Sequence, residues 1–290
     1  HLDTGMQQKL VSQKHTVSPF LKWAGGKAQL LPELEAHIPE FRNYYEPFLG
    51  GGALFFHLAS SRPNFRAYLS DRNSELVNAY RVVKSDAERL IAFLRRHEMA
   101  YSKNPYSFYY GLRKARPSKR LERAARLVAL NKTCYNGLYR VNSAGAFNVP
   151  MGRYKNPLIC NAIQLRMASS ALRQTKASIR TGSYTTALSG AANDDFVYLD
   201  PPFVPLSKTA NFVSYTQYGF SAEDQARLAS VFRTLDKRGC KVLLSNSDTK
   251  LARELYSGFD QFRIRASRAI SCKADSRNGY RELLVRNYTP

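Results

Sequence analysis

The stretch Asp200-Pro201-Pro202-Phe203 contains the residues whose types and spacing point most directly to chemistry. It follows the apolar residues 196–199, which predict a buried strand that ends at the aspartate. Because proline fixes φ and has no N–H, the two prolines hold the Asp200 carboxylate and the Pro201 carbonyl in a fixed arrangement. This pair of acceptors can bind both hydrogens of a nucleobase amine, which favours a pyramidal nitrogen whose lone pair can attack a sulfonium methyl. The ring of Phe203 can stack on an extruded base, although a turn that ends a strand and buries a phenylalanine would have the same residues.

A glycine turn earlier in the chain indicates where an adenosine-type ligand could bind. In Glu46-Pro47-Phe48-Leu49-Gly50-Gly51-Gly52, glycines after a predicted strand let the backbone approach a ligand and leave room for a helix start. Asp71 ends the next predicted strand, about 20 residues later, where a carboxylate can accept hydrogen bonds from ribose hydroxyls. The alternative role for Asp71 is the N-cap of the helix that follows. The glycine spacing differs from Gly-x-Gly-x-x-Gly, which argues against NAD or FAD.

The elements around these two motifs predict a doubly wound α/β sheet. Strand, glycine turn, helix and strand follow one another over residues 43–69, and the same alternation returns over 178–287. Helices predicted at 75–97 and 119–131 do not alternate with strands. Residues 134–154 are rich in Gly, Asn and Tyr, which is typical of a hairpin or an exposed loop.

This change of pattern predicts how the chain divides into domains. We expect a Rossmann-like catalytic domain formed by residues 18–72 and 161–290. A helical insert with a β-hairpin, residues 73–160, would divide it. Residues 1–17 read as a tag remnant followed by a flexible N-terminus.

The charge of the chain favours a polyanionic partner. Lys and Arg number 44 against 22 Asp and Glu, a formal net charge of +22. The excess is concentrated, because Glu122 is the only acidic residue between Met99 and Asn193. Nucleic acid is a better candidate than an acidic membrane, since the sequence has no lipidation motif, amphipathic anchor or apolar run of about 20 residues. Without a signal peptide either, the expected location is the cytoplasm.

The cysteines and histidines do not indicate a metal site. None of the four cysteines forms a Cys-x-x-Cys pair, and the histidines are scattered. We therefore expect neither a metal ion nor a disulfide framework.

Three motifs, in their order along the chain, resemble the signatures of the Dam family of DNA adenine-N6 methyltransferases. They are Phe20-Leu21-Lys22-Trp23-Ala24-Gly25-Gly26-Lys27, the glycine turn 46–52 and Asp200-Pro201-Pro202-Phe203. Residues 131–140 and 147–154 resemble the recognition hairpin of that family. The resemblance implies the fold of S-adenosylmethionine-dependent methyltransferases, with an inserted DNA-recognition domain, and a site-specific enzyme. It also implies methyl transfer to a flipped adenine in double-stranded DNA, within GATC.

The resemblance also implies roles for individual residues. The catalytic residues would be Asp200, Pro201, Pro202 and Phe203. The S-adenosylmethionine site would comprise Trp23, Lys27, Glu46, Phe48, Gly50, Gly52, Asp71 and Asp200. The DNA contacts would be Lys22, Tyr135, Asn136, Leu138, Arg140 and Pro150. Arg140 matches a guanine-reading arginine, which suits the O6 and N7 acceptors of guanine, and Tyr135 matches an aromatic that enters the duplex where the adenine leaves.

Some alternatives remain open from the sequence alone. Where Phe203 stands the family usually has tyrosine, so the stacking face is kept and any hydroxyl hydrogen bond is lost. Methylation of cytosine N4 or of RNA adenine would use the same acceptor geometry, and a DNA-binding protein could retain an idle methyltransferase fold. Trp23 could be a core residue and Lys27 a surface lysine.

We expect the protein to be a monomer, and more than one molecule can occupy a DNA site. The expected setting is the nucleoid, either as a solitary enzyme or within a restriction-modification system.

Overall fold

A computed structural model of the protein describes residues 17–62, 64–202, 220–265 and 282–290. The strands of the described residues are β1 (Tyr44–Glu46), β2 (Ala67–Asp71), β3 (Ser178–Thr181), β4 (Phe196–Leu199), β5 (Lys241–Ser247), β6 (Asp260–Ile264) and β7 (Glu282–Arg286). They form one sheet in the order β3-β2-β1-β4-β5-β7-β6, and β7 is antiparallel to its neighbours β5 and β6. The expected α/β class is therefore confirmed as a mixed α/β fold with a seven-stranded sheet.

Helices cover both faces of this sheet. Those in the described residues are α1 (Leu31–Glu35), α2 (Ala53–Ser61), α3 (Ser74–Lys103), α4 (Pro105–Lys114), α5 (Arg120–Thr133), α6 (Ala162–Gln174), α7 (Tyr184–Ala187), α8 (Ala222–Lys237) and α9 (Lys250–Leu255). Strand β4 is buried along its whole length, as expected for a parallel strand between two others. Its alternate side chains enter different cores: Phe196 and Tyr198 lie in one, Val197 and Leu199 in the other.

The strand order places two of the predicted motifs side by side. Strand β1 pairs with β2 on one side and with β4 on the other, all in parallel. After β1 the chain continues to β2, and after β4 it continues to β5 on the other side, so the two connections leave in opposite directions. In open α/β sheets the ligand crevice lies at such a point, at the carboxyl ends of the strands. Glu46 is the last residue of β1, and Asp200 directly follows β4.

The segment between β2 and β3 folds as helices and one irregular hairpin. The side chain of Asn73 caps α3 by accepting hydrogen bonds from the amides of Glu75 and Leu76, so Asn73, and not Asp71, is the N-cap. Helix α3 is bent at Asp86, where φ is −136° and ψ is 35°. Its buried residues share a core with the sheet and with α5 and α6.

Helix α4 was not expected from the sequence. It begins at Pro105, and the side chain of Asn104 caps it by accepting from the amide of Ser107. The helix is held by burial of Tyr109, whose hydroxyl donates to the carbonyl of Val149 over 2.7 Å.

The expected hairpin at residues 134–154 is short and irregular. Its antiparallel bridges join Cys134 to Met151 and Val141 to Phe147. A small core anchors it to α4 and α5, formed by Tyr109, Leu130, Cys134, Phe147 and Val149. Residues 1–16 of the expected N-terminal tail lie outside the described residues.

Candidate active site

Lys27 joins two carboxylates at the crevice. Its Nζ lies 3.3 Å from Oδ1 of Asp200 and 3.5 Å from Oε1 of Glu282. The three side chains are only 14%, 19% and 16% exposed, so water screens their charges weakly. Lys27 and Asp200 were predicted from motifs. Nothing in the sequence pattern pointed to Glu282, because its position depends on how β7 pairs with β5.

The environment of Asp200 makes its carboxylate unusually basic. Burial raises the pKa of Asp200 to about 7, the Lys27 charge partly offsets this rise, and the Glu282 charge adds to it. Burial alone would lower the pKa of Lys27, but Asp200 and Glu282 more than compensate and raise it. Near neutral pH the site therefore combines a lysine ammonium with an aspartate that can either release or accept a proton.

Glu46 lies beneath the crevice and is 3% exposed. The hydroxyl of Tyr44 donates to its Oε2 over 2.8 Å. Burial raises the pKa of Glu46 to about 8, and the nearby Asp200 charge contributes to the rise. Glu46 is therefore mostly protonated at neutral pH, which reduces charge repulsion under Asp200.

The glycine turn is tied to Asp71 by backbone hydrogen bonds. The amide of Gly50 donates to Oδ2 of Asp71 over 3.0 Å, and the amide of Asn73 donates to Oδ1 over 2.9 Å. Burial raises the pKa of Asp71, and these backbone N–H groups limit the rise. Asp71 therefore fixes the turn while lying at the end of β2, at the edge of the crevice.

Two positions of the turn require glycine. The φ of Gly50 is +49° and that of Gly52 is +70°, both in the left-handed region. A Cβ on Gly52 would lie 2.7 Å from the hydroxyl oxygen of Tyr80, which itself donates to the carbonyl of Gly50 over 3.0 Å. A Cβ on Gly50 would lie 3.1 Å from Cδ1 of Trp23.

Aromatic side chains flank the turn on two sides. Trp23 stacks on Tyr139 with ring centroids 5.4 Å apart, which joins the first motif to the hairpin segment. Phe48 lies 5.2 Å from Tyr184 and 6.2 Å from Phe220, measured between ring centroids. The Phe48–Tyr184 pair offers apolar faces beside the turn. Tyr184 could not be identified from sequence, because it lies in a short helix without a motif.

Asn131 connects the first motif to the hairpin segment. Its Oδ1 accepts from the amide of Lys22 over 3.0 Å, and its Nδ2 donates to the carbonyl of Lys22 over 2.7 Å. The same Nδ2 donates to the carbonyl of Gly137 over 3.3 Å. The buried side chain of Asn131 thus fixes the backbone of Lys22 next to residues 135–138.

Three of the predicted DNA contacts form a protruding edge. Tyr135 is 52% exposed and Leu138 is 38% exposed, and between them Asn136 has a left-handed φ of 53°. The backbone of this edge is held by a hydrogen bond, in which the amide of Tyr135 donates to the carbonyl of Pro150 over 2.9 Å. An exposed aromatic and an exposed leucine on a braced turn can enter a base stack.

Arg140 is oriented by Asn148 across the hairpin. Its Nε donates to Oδ1 of Asn148 over 2.7 Å, and its Nη2 donates to the carbonyl oxygen of Asn148 over 3.2 Å. The backbone pairs as well, since the amide of Asn148 donates to the carbonyl of Arg140. These contacts fix the plane of the guanidinium group.

The remaining predicted catalytic residues are placed only in part. Pro201 is buried and Pro202 is exposed, and Phe203 lies outside the described residues. Within the described part of the chain, no group of three or more His, Cys, Asp or Glu side chains could hold a metal ion. None of the described helices is long and apolar enough to cross a membrane.

Comparison with known proteins places the chain in a family. The family model for D12 class N6 adenine-specific DNA methyltransferases matches residues 23–270. The chain is 44% identical to the type II methyltransferase M1.LlaDCHI of Lactococcus lactis subsp. cremoris, covering 96% of this chain and 98% of that protein. It is 43% identical to the type II methyltransferase M.MjaIII of Methanocaldococcus jannaschii, over 94% and 99% of the two chains. It is 37% identical to the DNA adenine methylase of Escherichia coli, over 92% and 94%. A mixed α/β sheet, three motifs in family order and relatives matched over almost their whole length lead to one assignment: the chain belongs to the D12 class of N6 adenine-specific DNA methyltransferases.

Proposed function

We propose that this enzyme moves the methyl group of S-adenosylmethionine to N6 of a flipped adenine in duplex DNA, with Asp200 as the central catalytic residue and GATC as the target. The observation that carries the proposal is the position of Asp200. It directly follows β4 at the crevice, 3.3 Å from the Lys27 ammonium and largely shielded from solvent. Open α/β sheets bind their ligands at the carboxyl ends of the strands. Asp200 places an ionisable carboxylate at that end of a central strand.

The residues around the glycine turn fit the methyl donor. Asp71 offers a half-buried carboxylate at the edge of the crevice for the ribose hydroxyls. Phe48 and Tyr184 offer ring faces for the adenine of the donor. The left-handed glycines let the turn pack closely against Trp23 and Tyr80, and Trp23 provides an aromatic face suited to a sulfonium. S-adenosylmethionine supplies the methyl group to this site.

Asp200 and Pro201 would then act on the target base. The carboxylate of Asp200 and the carbonyl of Pro201 accept the two amine hydrogens, which directs the nitrogen lone pair towards the methyl donor. As the N–C bond forms, the bond between the donor sulfur and the methyl carbon breaks, S-adenosyl-L-homocysteine is left as the product, and the nitrogen carries one proton too many. Asp200, with its pKa raised to about 7, is basic enough to accept that proton.

The segment 73–160 is the proposed DNA-recognition unit. It is strongly basic, since Glu122 is the only acidic residue between Met99 and Asn193. Its exposed Tyr135 and Leu138 are suited to fill the space that a flipped adenine leaves. A guanidinium group held in plane, such as that of Arg140, suits the two acceptors on the major-groove edge of guanine. Asn136, between Tyr135 and Leu138, and the adjacent Lys22 and Pro150 are further proposed contacts.

The biological setting follows from the substrate. We expect a monomer acting on chromosomal DNA at the nucleoid, with more than one copy able to occupy neighbouring sites. Two of the relatives are named type II methyltransferases, which supports a role beside a restriction nuclease. A family specific for N6 of adenine also favours this reaction over cytosine-N4 or RNA methylation.

Sequencing of DNA methylated by the purified enzyme tests the proposal. Unmethylated plasmid incubated with the protein and S-adenosylmethionine should carry N6-methyladenine in GATC on both strands. A reaction without S-adenosylmethionine is the control. Methylation at another sequence would reject the GATC assignment, and methylation of cytosine would reject the reaction itself.

A further inference from the structure

We infer that Glu282 is a positioning residue for the methyl transfer: it shares the Lys27 ammonium with Asp200 and thereby keeps the Asp200 carboxylate available to the target amine. This inference rests on the proposed role of Asp200. It concerns a side chain at the start of β7 that is remote from all three motifs in the sequence.

The two oxygens of Glu282 have different partners. Its Oε1 lies 3.5 Å from Nζ of Lys27, and its Oε2 accepts a hydrogen bond from the hydroxyl of Ser245 over 3.2 Å. Ser245 belongs to β5, the strand between β4 and β7. The carboxylate is therefore fixed to the sheet and cannot follow Lys27 if the ammonium moves towards Asp200.

The inference depends on competition for one ammonium. Nζ of Lys27 lies at nearly equal distances from the carboxylates of Asp200 and Glu282, 3.3 and 3.5 Å. An ammonium shared in this way leaves Asp200 with acceptor capacity for an amine hydrogen. Without the charge of Glu282, Lys27 would pair with Asp200 alone, and the target amine would have to displace a stronger, charge-assisted hydrogen bond.

The other charged and titratable groups facing Asp200 do not replace Glu282. Glu46 and the hydroxyls of Tyr44 and Tyr198 approach from β1 and β4, and burial keeps the pKa of each above its ordinary value. Near neutral pH they are therefore mostly uncharged. Glu282 is the described residue that offers Lys27 a second carboxylate partner within 4 Å.

The sign of the pH effect separates positioning from a purely structural role. The Glu282 charge raises the pKa of Asp200 and the Lys27 charge lowers it. Glu282→Gln removes the first effect and leaves the second, so the pKa of Asp200 falls. The acid limb of the plot of kcat/KM against pH should then move to lower pH. On the plateau above that limb, kcat should decrease because Lys27 occupies the Asp200 carboxylate. A structural defect would lower the melting temperature without moving the limb.

Glu282→Gln should reduce kcat by about tenfold, because the target amine must then displace a charge-assisted hydrogen bond between Lys27 and Asp200. The binding constants for S-adenosylmethionine and duplex DNA should stay close to those of the wild type. Asp260→Asn is the matched control, since it removes a 59% exposed carboxylate from the neighbouring strand β6, and its profile should match the wild type. Glu282→Asp, which keeps the charge, should retain the pH profile better than Glu282→Gln. It also serves as the test if the glutamine variant does not fold.

A double variant completes the test. If Glu282 acts through Lys27, Glu282→Gln should change kcat little in a Lys27→Gln background. An equal tenfold loss in both backgrounds, or an acid limb that does not move in a folded Glu282→Gln enzyme, would overturn the inference. Asp200→Ala distinguishes the two proposals. If this variant keeps its activity, the proposed role of Asp200 is wrong. If it is inactive while Glu282→Gln is unaffected, only the proposed role of Glu282 is wrong.

Discussion

The amide of Gly50 donates a hydrogen bond to Oδ2 of Asp71 over 3.0 Å, joining the turn after β1 to the end of β2. This bond connects the two features that we propose to bind the methyl donor. It also means that Asp71 has two tasks, because the carboxylate that would meet the ribose also fixes the backbone of the turn.

Asp71→Asn should weaken binding of S-adenosylmethionine. The single oxygen of asparagine can still accept from the amide of Gly50, but the bond to the amide of Asn73 and the charge that the ribose hydroxyls meet are lost. Hydrogen bonds to charged groups contribute about 1.5–3 kcal/mol, so the dissociation constant should rise by about tenfold or more. Equilibrium titration measures it, with Asp86→Asn on α3 as the control. Unchanged affinity in Asp71→Asn would exclude the ribose contact.

Gly52→Ala should destabilise the enzyme. Its left-handed φ of +70° strains any other residue, and the added Cβ would lie 2.7 Å from the Tyr80 hydroxyl. We expect a loss of about 1–3 kcal/mol in the free energy of unfolding. Gly111→Ala is the control, because this glycine lies within α4 with nothing within 4 Å of an added Cβ. That change should stabilise the helix by roughly 0.5–1 kcal/mol. Equal effects of both changes would contradict this explanation of the turn.

Tyr135→Ala should impair extrusion of the target adenine. Tyr135 is 52% exposed on the braced edge of the hairpin and is proposed to fill the space that the base leaves. Unstacking a base costs a few kcal/mol, so kcat/KM should fall by about tenfold or more. A duplex with 2-aminopurine at the target position reports extrusion by its fluorescence. Tyr106→Ala, at a tyrosine that is 67% exposed on α4, should behave as the wild type. A normal fluorescence rise in Tyr135→Ala would remove this role.

Arg140→Ala should affect one base position more than the others. Loss of a bidentate contact to guanine costs about 1–3 kcal/mol on the target duplex and relaxes the requirement for that base. Binding to duplexes substituted at each position measures the change. Arg116→Ala, at an exposed arginine of the same basic segment, should weaken all duplexes equally and reduce the salt dependence. If Arg140→Ala also weakened all sequences equally, Arg140 would be a phosphate contact only.

The parts of the fold that follow from local rules could be predicted from the sequence. The run 196–199 before Asp200 is strand β4, and the glycine turn lies between β1 and α2. In each case the signal lies within a few residues: an apolar run or a group of glycines. Lys27 was assigned to the site with Asp71 and Asp200 by the resemblance to the Dam family, and its ammonium lies 3.3 Å from Asp200.

What the sequence did not predict depends on contacts between distant segments. Glu282 meets Lys27 only because β7 enters the sheet antiparallel beside β5. Tyr184 meets Phe48 only after α7 packs beside the turn. Helix α4 forms where Tyr109 can be buried against the hairpin, in a core shared with Phe147 and Val149.

The role of Asp200 is tested most directly by single-turnover methyl transfer with the Asp200→Ala variant. Enzyme in excess is mixed with a duplex that contains one target adenine and with labelled S-adenosylmethionine, and the label in the DNA is followed over time. Binding of the same duplex is measured in parallel. The proposed mechanism predicts that transfer is abolished while duplex binding stays close to that of the wild type. Transfer at the wild-type rate would contradict it.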